Sequence, residues 1–256
     1  FNKYGGKRAY ARFLGISQMA VKQHWKRYSK KNGKIYPQHI PLWVLKKSCK
    51  TKELKREIEN NIYSIKGSNK STPIINPILP IKESPELYRI VAHMIGDGSA
   101  PGNKVPYYSN TSKVLRGQFK KDLEIFGEMK IYDSKLTIPI VYFPKILTDI
   151  LAHIFRIKFS HPNKIPKEIF KSSKKCKKAF LQALFDDEGC ISTNLYISMV
   201  SSNIIKQIKI LLYSMGIETN RIWIKKQKIR KDNITLSIKR KYYKKFKDNV
   251  GFSHPE

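Results

Sequence analysis

Residues 90–98 of the chain have the sequence Ile-Val-Ala-His-Met-Ile-Gly-Asp-Gly, and residues 181–189 have the sequence Leu-Gln-Ala-Leu-Phe-Asp-Asp-Glu-Gly. Each stretch is an apolar, helix-like segment that closes on a carboxylate followed by glycine. Glycine is a common stop after the last helical residue, but a carboxylate in the last turn faces the negative end of the helix dipole. Two matching and locally unfavourable placements indicate that Asp97 and Glu188 have a function.

The sequence around these stretches is repeated. Residues Tyr107–Gly127 align without a gap with Tyr196–Gly216, and 7 of the 21 positions are identical. Each copy has the pattern of a strand, a Ser-capped amphipathic helix and a glycine stop, followed by two β-like runs and another helical stretch. An acid-glycine helix precedes each copy. The sequence therefore predicts an α+β fold in which one αββαββα unit is used twice, with halves of about 85–170 and 171–256.

Small residues in the two apolar helices suit them for close packing. Ala92 and Gly96 in the first helix and Ala183 in the second would let the helices approach each other. A pseudo-twofold axis between the halves would then bring Asp97 and Glu188 side by side. Two carboxylates that close repel each other unless a proton or a cation lies between them, so a divalent metal is the natural ligand. The candidate metal ligands are Asp97, Gly96, Asp187 and Glu188.

These residues resemble the LAGLIDADG (dodecapeptide, DOD-type) homing endonucleases in the single-chain form with two motif copies, over about residues 84–251. The resemblance implies a saddle-shaped antiparallel sheet in each half that lies on double-stranded DNA. It also implies that Asp97 and Glu188 are the catalytic, metal-binding acids of a site-specific, Mg²⁺-dependent double-strand endonuclease, with Mn²⁺ as a substitute. His93 and Gly96 depart from the commoner apolar and acidic residues of the first motif.

The charge of the chain points to a polyanionic partner. Among 256 residues there are 51 Lys and Arg against 19 Asp and Glu, a formal net charge of +32. Nucleic acid is the leading partner, an anionic membrane surface the second and acidic small molecules the third. No apolar run approaches the roughly 20 residues that cross a bilayer, and the first residues lack a signal peptide core. We expect a location inside the cell, on the nucleoid when DNA is bound, and no membrane partner.

Basic residues are concentrated near the C-terminus. Residues 221–247 contain 12 Lys and Arg and a single acid, and basic or aromatic residues alternate with isoleucine over 221–225. Such alternation predicts a strand with one basic face and one buried apolar face, as a strand lying in the major groove requires. Lys225 or Lys239 could also reach the cleavage centre. The predicted DNA contacts of this domain are Lys104, Tyr108, Asn110, Lys225, Lys228, Arg230 and Lys239.

The N-terminal region has a different composition. Residues 1–50 contain 13 Lys and Arg and no acid. The spacing of Ala11, Gly15 and Val21 resembles a helix-turn-helix, with a small residue for helix contact, a glycine in the turn and a buried apolar residue in the second helix. Ser17 would cap the recognition helix. The alternative is a basic helical hairpin that contacts only phosphates. The side chains expected in the DNA groove are Gln18, Lys22, Gln23 and Lys26.

These patterns predict a small all-α helix-turn-helix domain at residues 1–66, a Pro- and Ser-rich linker at 67–84 and the endonuclease domain at 85–256. The protein is expected to act as a monomer because both half-sites lie in one chain. The rival reading is a DNA- or RNA-binding relative that does not cut, such as an intron maturase or a transcriptional regulator. Another is the endonuclease part of an intein. Because the sequence begins with Phe1 and does not end in His-Asn, we expect no self-splicing.

Overall fold

The computed structural model describes residues 5–19, 21, 28–31, 34–37, 44, 47, 49, 51–67, 71–102, 104–134, 137–226 and 232–253. The chain divides into two compact units, residues 1–62 and residues 63–256. The second unit is the larger and contains both sequence repeats.

The first unit begins with helix α1 (Lys7–Leu14), which ends at Gly15 in the left-handed conformation with φ 72°. The backbone N–H of Ile16 donates to the carbonyl oxygen of Ala11 at 3.1 Å, the bond that closes a Schellman motif. Ala11 and Val21 are both buried. This local geometry is the one expected from the spacing of a helix-turn-helix.

An antiparallel hairpin of β1 (Tyr28–Lys31) and β2 (Lys34–Pro37) follows in this unit. The expectation that the unit is all-α is therefore wrong for this segment. The strands are separated in sequence by Asn32-Gly33, the dipeptide that most strongly favours a two-residue hairpin, and this is the signal that identifies it. The last described helix of the unit is α2 (Lys52–Asn61).

Residues 67–84, predicted to be a linker, belong instead to the second unit. Strand β4 (Ile74–Ile75) pairs with β3 (Ser64–Ile65) and with β7 (Glu128–Met129) in a small antiparallel sheet. Ile74 is fully buried. The physical reason is that isoleucines in this segment bury apolar surface, which outweighs the preference of its prolines and serines for irregular structure.

The rest of the second unit consists of two halves that, apart from β7 of the small sheet, have the same order of elements: helix, strand, strand, helix, strand, strand, helix. The repeated unit predicted from the sequence is therefore confirmed. A short helix, α6 (Lys167–Lys171), lies between the halves. The first half contains α3 (Pro85–Ile95), β5 (Gly98–Ser99), β6 (Tyr107–Ser109), α4 (Lys113–Leu123), β8 (Tyr132–Ser134), β9 (Ile140–Tyr142) and α5 (Lys145–Phe155). The second contains α7 (Lys174–Glu188), β10 (Gly189–Ile191), β11 (Leu195–Met199), α8 (Ser202–Ser214), β12 (Trp223–Lys225), β13 (Asn233–Ser237) and α9 (Tyr243–Asn249).

The two four-stranded sheets have equivalent topology. The first has the strand order β5-β6-β9-β8 and the second has the order β10-β11-β13-β12, with all neighbours antiparallel. The two orders become the same when corresponding strands of the repeat are superposed. The sheets thus follow the duplication seen in the sequence.

Helices α3 and α7 pack against each other, and their apolar residues belong to the core of this unit. Ala92 and Ala183 are fully buried, as expected from their small size. A Cβ atom built on Gly96 would lie 2.9 Å from the Cβ atom of Asp187, so only glycine fits there without a shift. The first helix is shorter than predicted because it ends at Ile95 rather than next to Gly98.

Candidate functional site

The two predicted catalytic acids lie at adjacent helix ends. Glu188 is the last residue of α7, and Asp97 lies just beyond the end of α3. Burial and the charge of Asp187 raise the pKa of Asp97 to about 6. Burial and the charges of Asp97 and Asp187 raise the pKa of Glu188 to about 7. The fold thus concentrates carboxylates in a poorly solvated place, where their negative charges oppose one another.

The chemistry of these side chains fits a divalent cation. Magnesium and similar hard cations bind carboxylate oxygens, and a cation would relieve the repulsion between Asp97 and Glu188. Within the part of the chain that the structure describes, no group of three or more His, Cys, Asp or Glu side chains is arranged to hold a metal ion. The two acids would therefore supply part of a coordination shell, and water or a bound ligand would supply the remaining oxygens.

A groove of about 650 Å³ opens beside Asp97 at the boundary between the two halves. Residues from both halves line it, so it is a product of their association rather than of either half. The space is available to solvent and to a ligand that approaches the acids. Its lining includes Asp97, Asn110 and Leu115 of the first half and Asp186, Cys190 and Phe252 of the second.

Asp187 also lines this groove, but its carboxylate is not a free ligand. Its side chain is fully buried and crosses from the second half into the first. One carboxylate oxygen, Oδ2, lies 2.9 Å from Nδ1 of His93, and the other, Oδ1, accepts a hydrogen bond of 2.7 Å from the hydroxyl of Tyr108. Burial disfavours the charged imidazolium, but the carboxylate of Asp187 outweighs that and raises the pKa of His93. Both oxygens of Asp187 are therefore engaged, which argues against the predicted role as a metal ligand.

The prediction that Tyr108 contacts DNA is wrong. Tyr108 is fully buried, and its ring lies 4.8 Å from that of His93. Burial and the charge of Asp187 hold the pKa of the Tyr108 hydroxyl far above its usual value. Alternate residues of a strand point to opposite faces, so Tyr108 faces the core while its neighbours Tyr107 and Ser109 are partly exposed.

The other predicted DNA contacts differ in their surroundings. Lys104 and Lys225 are exposed. Lys239 is not free, because its Nζ lies 2.6 Å from Oε2 of Glu218. Asn110 lies beside Asp97 rather than on an open surface, and its Nδ2 donates to Asp97 Oδ2 at 3.0 Å. Lys228 and Arg230 lie outside the described residues.

The predicted alternation along β12 is also wrong. Trp223, Ile224 and Lys225 are all exposed, although the pattern places Ile224 on a buried face. The reason is topological, since β12 is the edge strand of its sheet and pairs with β13 alone. An edge strand can leave both of its faces uncovered.

Among the side chains that are expected in a DNA groove from the first unit, Gln18 is helical and exposed. Lys22, Gln23 and Lys26 lie outside the described residues, so their predicted positions rest on the sequence.

Asp186, beside the proposed acids, accepts hydrogen bonds from the backbone N–H of Ser253 at 2.9 Å and from the Ser253 hydroxyl.

The raised pKa values of Asp97 and Glu188 predict a stability that falls with pH when divalent metal is absent. A folded-state pKa of about 6 or 7 means that the folded protein holds protons that the unfolded chain releases near pH 4. This stabilisation is present below pH 4 and is lost as the pH rises to about 7. Between pH 5 and pH 8 in EDTA, the wild type should lose about 2 kcal/mol more than an Asp97→Asn/Glu188→Gln double variant, after a discount for the solvent in the groove. Urea unfolding at both pH values measures this difference, and equal losses in the two proteins would contradict the prediction.

The paired helices, the duplicated antiparallel sheets and the acids at the helix ends define a class of duplicated α+β proteins, and comparison with known proteins shows which of them the chain resembles. The model of the LAGLIDADG-like domain matches residues 175–251. This match lies in the second half of the chain, and the two halves together have a fold similar to that of I-DmoI.

Solved structures support the fold over both halves. The structure of I-DmoI in complex with DNA and Mn is 17% identical to this chain, with a TM-score of 0.51, and covers 67% of this chain and 98% of I-DmoI. A structure from a study of mesophilic variants of the homing endonuclease I-DmoI is 16% identical, with a TM-score of 0.50, and covers 65% of this chain and 95% of its own.

One curated relative is similar to this chain over a small part of the relative's length. The glutamine–fructose-6-phosphate aminotransferase (isomerizing) of Methanocaldococcus jannaschii is 26% identical over 194 residues, which is 70% of this chain. The match spans only 17% of the length of that relative. Among the residues that the structure describes, no helix has both the length and the apolar character needed to cross a membrane.

Proposed function

We propose that this protein is a site-specific endonuclease of the homing type, which hydrolyses phosphodiester bonds on both strands of double-stranded DNA. The observation that carries the proposal is the placement of Asp97 and Glu188 at the adjacent ends of two packed helices, with Asp97 lining a groove between the two halves. A pair of poorly solvated carboxylates at a boundary between duplicated halves is suited to a substrate that is itself nearly twofold symmetric.

In the proposed mechanism, Asp97 and Glu188 would hold divalent metal, Mg²⁺ or in its place Mn²⁺. When bound, the metal would neutralise charge on the scissile phosphate and activate water for the attack. The chain itself orients the two acids. Asn110 donates to Asp97, and the contacts of Asp187 with His93 and Tyr108 hold the end of α7 against the first half. Gly96 was predicted to be a metal ligand; because it has no side chain, it allows α3 and α7 to approach each other closely.

The charge of the protein supports DNA as the partner. A net charge of +32 favours a polyanion, and neutralising phosphates with lysine and arginine supplies most of the affinity of proteins for DNA. Exposed Lys104 and Lys225 are the described candidates for phosphate or base contacts. The name of the I-DmoI structure states that I-DmoI binds DNA and Mn, which is the behaviour we propose for this chain. One chain contains both halves, so we propose that it acts as a monomer, inside the cell and on DNA.

We also propose that the first unit is a helix-turn-helix-like DNA-binding domain that lengthens the recognised site. The left-handed Gly15 between buried Ala11 and buried Val21 supports it, as does the exposure of Gln18 at the start of the second helical segment. The name of the curated relative does not bear on this activity, because the match covers only 17% of that protein.

Cleavage of a plasmid library that carries randomised or genomic inserts tests the proposed function. The protein is incubated with the library in Mg²⁺, in Mn²⁺ or in EDTA, and the ends are sequenced. We expect double-strand breaks at one short family of sequences, in either metal but not in EDTA. Tight and salt-sensitive binding without cutting in any metal would overturn the nuclease and favour a regulator or an RNA-splicing maturase.

A further inference from the structure

Asn110 joins a carboxylate from each half of the protein. Its Nδ2 lies 3.0 Å from Oδ2 of Asp97 in the first half and 3.4 Å from Oδ1 of Asp187 in the second. An amide nitrogen carries two N–H groups, so one Asn110 side chain can donate to both acids. The link is therefore a hydrogen-bonded bridge from Asp187, which is held by the core, to Asp97, which lines the groove.

The orientation of the Asn110 amide is fixed by its other contacts. Its Oδ1 accepts a hydrogen bond of 2.9 Å from the backbone N–H of Ser112, so the opposite side of the amide, with its N–H groups, faces the carboxylates. The backbone carbonyl of Asn110 accepts a hydrogen bond of 2.6 Å from Nη1 of Arg116. Asn110 is thus held through both its side chain and its backbone, and it cannot turn its oxygen toward Asp97 without losing the bond to Ser112.

In the described part of the second half, no side chain forms an equivalent of this bridge. The gapless repeat, in which Tyr107 corresponds to Tyr196, places Met199 opposite Asn110. Met199 is buried, and a thioether has no hydrogen to donate. Among the described side chains, none donates a hydrogen bond to Glu188, whereas Asp97 receives one from Asn110. The two acids therefore have different supports even though they occupy matching positions in the repeat.

We propose that Asn110 is a positioning residue that fixes the carboxylate of Asp97. Because Glu188 has no equivalent donor among the described residues, the protein cuts the two DNA strands at unequal rates. The inference rests on the proposed function. Hydrogen-bonding partners behind a metal ligand set its orientation, and their loss typically lowers metal affinity or activity about 10- to 100-fold. The oriented acid keeps one geometry, whereas Glu188 has to be ordered each time a metal and a phosphate bind.

The test compares the wild type with Asn110→Ala and with the matched control Met199→Ala. Each strand of a cleavable duplex is labelled separately, and the nicking rates of the two strands are measured in Mg²⁺. We expect the wild type to cut one strand at least about 3-fold faster than the other. Asn110→Ala should slow the faster strand about 10-fold and bring the two nicking rates closer together. Met199→Ala should leave the ratio of the two nicking rates unchanged. Asn110→Ser, a polar replacement that also lacks the amide, provides a second variant if Asn110→Ala is poorly folded.

A second measurement does not depend on cleavage. Mn²⁺ is titrated into each protein without DNA, and free Mn²⁺ is followed by electron paramagnetic resonance. We expect Asn110→Ala and Asn110→Ser to bind Mn²⁺ about 10-fold more weakly than the wild type and Met199→Ala to be unchanged. Equal Mn²⁺ affinities, or equal slowing of both strands by Asn110→Ala, would overturn the inference. If the wild type cuts no DNA but Asn110→Ala still weakens Mn²⁺ binding, the proposed function fails and the positioning role of Asn110 stands.

Discussion

Asp97→Asn and Glu188→Gln should each reduce double-strand cleavage by at least about 10³-fold, which corresponds to roughly 4 kcal/mol of transition-state stabilisation. Each replacement keeps the size of the side chain but removes the negative charge and one oxygen that can hold a hard cation. The affinity for uncut target DNA should stay within about 3-fold, because phosphate contacts by lysine and arginine dominate it. Single-turnover cleavage of a labelled target and a gel-shift titration measure the two quantities.

The control for these variants is Asp248→Asn, the same chemical change at an exposed position on helix α9. It should cut at the rate of the wild type. The variants should also be more stable than the wild type in EDTA at pH 8, because each removes a carboxylate whose pKa is raised by burial and by a neighbouring charge. Retained cleavage in both variants would show that Asp97 and Glu188 are not required for the reaction. The melting temperature of each variant shows whether a loss of cleavage is caused by a loss of folding.

Asp187→Ala should destabilise the second unit by about 3 to 5 kcal/mol, the combined cost of a cavity and of two buried polar groups that lose their shared acceptor. His93 and Tyr108 would keep their polar groups in the core but lose the carboxylate that holds them, and a cavity would remain next to Gly96. Relief of the repulsion between Asp187 and Asp97 offsets part of this cost. The melting temperature should fall by about 10 °C in a unit of this size.

The matched control here is Asp187→Asn, which keeps the shape and one acceptor oxygen. It should cost less than half as much as Asp187→Ala, because one hydrogen bond to the network can still form. Chemical denaturation followed by circular dichroism gives both free energies of unfolding. A loss of under 1 kcal/mol for Asp187→Ala would show that the network of Asp187, His93 and Tyr108 does little to hold the two halves together.

Much of the architecture follows from local patterns in the sequence. The repeat, the serine caps and the glycine stops predict both halves, and the small Ala92 and Ala183 predict the close helix pair that the structure contains. These signals are readable because each depends on neighbours within a few positions along the chain.

The parts that were predicted wrongly depend on contacts between distant residues. Tyr108 carries no local sign that its hydroxyl meets Asp187, which lies 79 positions further along the chain. The exposure of Ile224 is set by which strand ends a sheet, and strand order is a property of the whole fold. His93 departs from the family motif, and its reason becomes visible only when Asp187 is found beside it.

The crossing of Asp187 into the first half has a consequence for any attempt to rebuild the protein from its parts. A symmetric dimer of two first halves would face Gly96 with Gly96 and leave His93 without a carboxylate, while a dimer of two second halves would press Asp187 against Asp187. Neither half can therefore replace the other, because Gly96 and His93 of the first half fit Asp187 of the second half. Exchange of halves with another protein of this fold would therefore need to transfer Gly96, His93 and Asp187 as a set.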